Sequence, residues 1–164
     1  MTPELHRPLA LDRVGAHVLA VDVDAGPDEL AAVAARLRVL ALGSLHCAFK
    51  LRRIGAGIIE AQGVLRAQVT ETCVVTLDPF SHDVRETFTV HFVPAGTEND
   101  DPDPEAVDQI PYPGSAADLG EAAVEQLALA LDPYPRKPGA SLPEELSVDA
   151  LSPFAGLLAR RPRE

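Results

Sequence analysis

Apolar and polar positions along this chain follow more than one period. In residues 14–23, Leu19, Val21 and Val23 alternate with Asp22, which predicts a strand. Asp24-Ala25-Gly26-Pro27 is turn chemistry. From Pro27 the period lengthens to that of a helix. Leu30, Val33, Leu37 and Leu40 recur at spacings of three and four, Asp28 and Glu29 sit at the positive end, and Gly43 offers a left-handed stop.

Beyond Gly43 the period drops to two. Leu45, Cys47, Phe49 and Leu51 share one face of a strand, with His46, Lys50 and Arg52 on the other. Gly55-Ala56-Gly57 predicts a tight turn. A second strand follows from about Ile58 to Thr72, with Ile59, Ala61, Gly63, Leu65, Ala67 and Val69 on its apolar face. Its other face carries Glu60, Gln62, Arg66, Gln68 and Thr70, and Gly63 predicts a bulge or bend. Residues 73–77 continue in β-prone residues until Asp78-Pro79 breaks the run. A third strand, Asp83 to Val93, sets Val84, Phe88, Val90 and Phe92 against Arg85, Thr87, Thr89 and His91, with Glu86 the exception. A second helix is expected from Ser115 to Leu131, capped by Ser115 or Asp118, with Leu119, Ala123, Leu127, Ala130 and Leu131 as its apolar face. Residues 132–139 read as extended chain, and Ser152 to Ala159 as a short helix. The pattern predicts one α+β domain over residues 1–164. An antiparallel β-meander or partly closed barrel packs against two main helices.

Composition agrees with a folded domain. A chain of 164 residues buries roughly 70% of its unfolded surface without staples. With five Phe, two Tyr and no Trp, the core is aliphatic. Charge narrows the partners. Fourteen Lys and Arg stand against 25 Asp and Glu, a net charge of -11. Residues 1–66 hold eight basic and seven acidic side chains, whereas residues 67–164 hold six and eighteen. That field opposes broad binding to DNA or RNA phosphates and to anionic membranes. Within residues 95–111, Glu98, Asp100, Asp101, Asp103, Glu105 and Asp108 occur with three prolines and no cation. This stretch is expected to be a mobile acidic loop, either a solvated linker or a mimic of RNA. Arg36, Arg38, Lys50, Arg52, Arg53 and Arg66 are the candidates for a basic partner-binding patch. No apolar run has the length of a membrane helix and no secretory leader is visible, so a cytoplasmic protein with reduced Cys47 and Cys73 is expected.

Catalytic and metal chemistry have little support. Cys47, Cys73, His46, His82 and His91 show neither Cys-x-x-Cys nor His-x-x-x-His spacing. Gly55-Ala56-Gly57 lacks a third glycine and lies between strands, which fails the dinucleotide fingerprint. The expectation is no enzyme, no cofactor and no metal.

The stretch Gly63 to Phe80, containing Cys73, Leu77 and Pro79, resembles the central segment of the YceD family, the large ribosomal RNA subunit accumulation proteins. The element Ser152-Pro153-Phe154-Ala155-Gly156-Leu157, with Pro153 and Phe154, resembles that family's C-terminal motif. Leu5 to Leu9 is similar to the opening of some bacterial members, so the resemblance extends over nearly the whole chain. Many members have a second Cys three positions after the first; here that position is Thr76, and 133–141 has no Cys, so any zinc site those members assemble is unavailable. The resemblance implies a ribosome-biogenesis factor supporting accumulation of large-subunit (23S) rRNA. Its expected partners are the large-subunit rRNA precursor, a basic ribosomal protein, or both. The alternatives are a chaperone-like binder of one basic ribosomal protein and, lower, an RNA-processing hydrolase.

Overall fold

The computed structural model describes residues 3–98 and 106–141. The expected Ser152–Ala159 helix, with Pro153 and Phe154, lies outside the described residues, as does the middle of the acidic stretch. The elements are β1 (Pro8–Ala10), β2 (Leu19–Asp24), α1 (Pro27–Leu37), β3 (Ala41–Arg53), β4 (Ile59–Thr72), β5 (Pro79–Pro94), β6 (Asp108–Tyr112), β7 (Ala116–Asp118) and α2 (Leu119–Ala130). A single 3-10 turn spans Leu11–Arg13.

The fold is α+β. Five strands form a mixed sheet in the order β2-β3-β4-β5-β6, and β1 and β7 make a separate two-stranded ribbon. β3 to β5 are the expected antiparallel meander, and β2, on the other side of α1 in sequence, adds antiparallel to β3. The sheet is open, not a partly closed barrel. Its edges β2 and β6 do not pair, and β6 runs parallel to β5. Helices bury the apolar face in place of closure: Val33 and Ala34 of α1 and Leu119, Ala123 and Leu127 of α2 join Leu45, Phe49, Leu65 and Phe92 in one core cluster. The other face of the meander is open to solvent, which is why the alternation is so regular.

Several local expectations are corrected. The helix stops at Leu37, not Gly43. Arg38 takes the left-handed conformation (φ 58°), and its N–H and that of Val39 satisfy carbonyls of the last turn. Leu40, 59% exposed, is outside the helix, and its N–H bonds Thr70 to begin the β3–β4 ladder. Gly43 lies within β3 at a bulge between Leu42 and Ser44. Gly63 marks no bulge. It pairs regularly with Phe49 and Phe88, and a Cβ there would overlap the Phe88 ring. The space admits an edge-to-face Phe49–Phe88 contact with centroids 5.8 Å apart. Residues 73–78 turn instead of extending the strand, with Leu77 left-handed (φ 61°), and β5 begins at Pro79. The strand predicted over 14–23 occupies only Leu19–Asp24. The acidic stretch is not loop throughout: Asp108 to Pro111 belong to β6. Asp118, not Ser115, caps α2, accepting the N–H groups of Gly120 and Glu121.

One ion pair locks the N-terminal ends of the helices together. Glu29, in the first turn of α1, accepts the Gly26 N–H and holds Arg7 through both carboxylate oxygens at 2.7 and 2.8 Å. The backbone N–H of Arg7 in turn bonds Asp118, the cap of α2. Arg7, aided by the Gly26 N–H, lowers the Glu29 carboxyl from 4.5 to about 2. Because the folded value is depressed, this pairing contributes its full stability above the unfolded value and loses it as pH falls toward the folded one. Glu29→Gln is therefore expected to lose less stability than the native chain between about pH 5 and about pH 3. Urea unfolding at both pH values measures it, and equal losses refute the assignment.

Candidate partner-binding surface

The open face of the meander is built by the polar register of four strands. Its cross-strand rows follow from the pairing: His46–Arg66–Arg85, Lys50–Gln62–Thr89 and Arg52–Glu60–His91 across β3, β4 and β5. Arg52 donates to Glu60 at 2.9 Å, and His46 pairs with Asp24 of β2 at 2.9 Å. Lys50, Arg66 and Arg85 are exposed and have no ion pair or hydrogen bond among the described residues. Arg66 and Arg85 stand directly opposite one another, a like-charge arrangement that is destabilising in a sheet. Val64, partly exposed, lies on the same face one alternation away.

The six basic candidates thus fall into four separate places. Lys50, Arg52 and Arg66 share the open face. Arg36 reaches from α1 to Glu4 at 2.9 Å and to both oxygens of Glu121 at 2.6 and 2.8 Å, and Glu121 first, then Glu4, raises its pKa. Arg53 donates to the carbonyls of Val14 (3.1 Å) and Leu11 (2.6 Å), pinning the segment before β2. Arg38 borders a cavity of about 410 Å³ between the C-terminal ends of the helices, together with Glu71 and Asp132. Sequence reasoning placed Arg85 on the polar register of its strand but left it out of the patch. Its signal was that same alternation, set against Arg66 once the meander is paired.

The Cys73 turn is a compact knot. Cys73 is buried, its N–H donates to the Asp78 carbonyl, its carbonyl accepts from Leu77, and Sγ accepts the Thr76 N–H at 3.5 Å. Val74 bonds Pro135, which seats the segment after α2 on this turn. Hydrogen bonds from Thr76 and from the Lys137 and Val75 amides lower the Cys73 thiol to about 7. Leu77, 76% exposed, and Pro79, paired with Thr72, complete the turn. Cys47 differs: burial in the core, then the charge of Asp22, pushes its thiol up to about 12. No group of three metal-capable side chains occurs among the described residues, and no helix among them is long and apolar enough to cross a membrane.

The family model of the large ribosomal RNA subunit accumulation protein YceD matches residues 61–152. This chain belongs to the YceD family. No curated protein and no solved structure matches it. The YceD match begins in β4 and includes β5, β6 and α2, so it contains Arg66, Arg85 and the Cys73 turn, while Lys50 and Arg52 precede it. The family's description ties it to large-subunit rRNA accumulation and names no catalysis.

Proposed function

We propose that this YceD-family chain is a non-enzymatic, cytoplasmic ribosome-biogenesis factor that supports 23S rRNA accumulation. It meets large-subunit rRNA through the open face of its sheet. The supporting observation is the mutually repelling pair Arg66 and Arg85, unpaired among the described residues, with Lys50 on the same face but paired with Gln62, four residues along β4 from Arg66. Folding gains nothing from that juxtaposition, whereas a phosphate between two guanidinium groups relieves the repulsion and is held by bidentate hydrogen bonds. No Phe, Tyr or Trp of β3, β4 or β5 lies on this face to stack bases, so the contact is to backbone phosphate and is confined to a small patch.

The paired substitution Arg66→Gln, Arg85→Gln tests this. Both sites are exposed, so the variant is expected to melt at or slightly above the native temperature. Its nuclease-sensitive association with large-subunit precursors is expected to fall about ten-fold, with the slope of log affinity against log salt shallower by about 2. Unchanged association and slope defeat the reading. The net charge of -11 favours a second reading, in which a basic ribosomal protein is the direct partner. Association that survives nuclease and ignores both arginines supports it.

A further inference from the structure

On the helix side of the fold, a groove of about 640 Å³ runs between β6, β7 and the N-terminal half of α2. Its floor is apolar, made by Phe92, Ile110 and Tyr112, and one wall carries Asp118, Glu121 and Glu125. Among the described residues no lysine or arginine lines it. β6 is the edge of the sheet among the described residues, and no further strand of theirs pairs with it. The carboxylates differ in their engagement. Asp118 caps α2 and bonds His6, and Glu121 is held from behind by Arg36. Glu125 has no hydrogen bond or ion pair among the described residues; desolvation, then the charge of Glu121, raises its pKa, against a smaller opposing effect of Arg36. An apolar floor beside a carboxylate that has no ion pair among the described residues suits a side chain with an aliphatic stem and a cationic head.

We propose that this groove receives a short extended segment of a basic protein, with an aliphatic side chain on the Phe92–Ile110–Tyr112 floor and a lysine or arginine against Glu125 and Glu121. Charge complementarity selects this occupant. A second copy of a chain at -11 would bring like charge to an acidic wall. The groove is separate from the Arg66–Arg85 pair on the open sheet face, so the RNA and protein contacts proposed for this fold use different surfaces. Taking large-subunit ribosomal proteins as the source of the segment rests on the second reading above.

A fluorescent peptide of alternating lysine and leucine, titrated into the full chain and followed by anisotropy, tests the groove directly. Glu125→Lys and Ile110→Ser are each expected to weaken binding about ten-fold, as is replacing leucine by serine in the peptide, while Val18→Ser, at an exposed position outside the groove, leaves it unchanged. Equal affinity for the native chain and Glu125→Lys overturns the proposal, as does equal affinity for the serine peptide. Concentration-dependent dimerisation abolished by Glu125→Lys also overturns it, by making a second copy the occupant. Groove-dependent peptide binding without capture of large-subunit ribosomal proteins upholds the groove and removes those proteins as its source.

Discussion

Leu65→Asp is expected to abolish cooperative folding. Leu65 is fully buried at the middle of β4, between Cys47 of β3 and Glu86 of β5 in the ladder. An aspartate there has three options: remain ionised in the apolar core, protonate at the expense of a large pKa shift, or turn the strand over. The first two cost several kcal/mol, a large part of the roughly 5–15 kcal/mol that holds a domain together. Glu86 across the ladder adds like charge, not a partner. The third moves every side chain of β4 to the opposite face and breaks both ladders. Leu65→Ala, which leaves only a cavity, is expected to stay folded and lose about 2–5 kcal/mol. Thermal unfolding followed by circular dichroism separates them: a native transition in Leu65→Asp shows that the β4 register is wrong.

The same register explains what could be read before the structure. β3, β4 and β5 have one face on the core and one in water, so solvent itself wrote the period-two pattern, and Leu65, Phe49 and Val90 stood out. α1 announced its start through Pro27, Asp28 and Glu29 because those signals are local. Its end did not, because a non-glycine residue, Arg38, takes the left-handed position, and Gly43 serves a bulge further on. β6 was hidden because it is a parallel edge strand in an acidic stretch, and its pairing with β5 is not local. β1 and β7 are three residues each, too short for any period to register. The basic patch divided for a related reason. Arg36 is bound to Glu121 and Arg53 to Leu11 and Val14, partners far away in sequence. Arg66 and Arg85, by contrast, meet through the regular ladder, and their juxtaposition follows once β4 is paired to β5.

Gly120→Ala is expected to destabilise the chain, although the same change in most helices does the opposite. Gly120 lies in the first turn of α2, and alanine in a helix is favoured over glycine by about 1 kcal/mol. Here the N-terminal segment crosses directly over that turn. The Leu119 N–H donates to the Arg7 carbonyl at 3.0 Å, and Leu5 is fully buried beside it. A Cβ on Gly120 would overlap the Leu5 carbonyl oxygen, with the Leu5 carbonyl carbon at 2.8 Å and the Arg7 nitrogen at 3.1 Å. These are backbone atoms and cannot rotate aside as a side chain would. Either the helix or the segment must move, which strains the Asp118 cap and the Arg7–Glu29 pair together. Overpacking of this kind costs about 1–3 kcal/mol, and the displaced hydrogen bonds add to it. A net loss of about 2 kcal/mol is expected, lowering the melting temperature by roughly 4–8 °C. Gly15→Ala is the control, since nothing lies within 4 Å of a Cβ there, and it is expected to melt at or slightly above the native temperature. A melting temperature for Gly120→Ala equal to or above that of the native chain means that the N-terminal segment does not lie against α2 in solution.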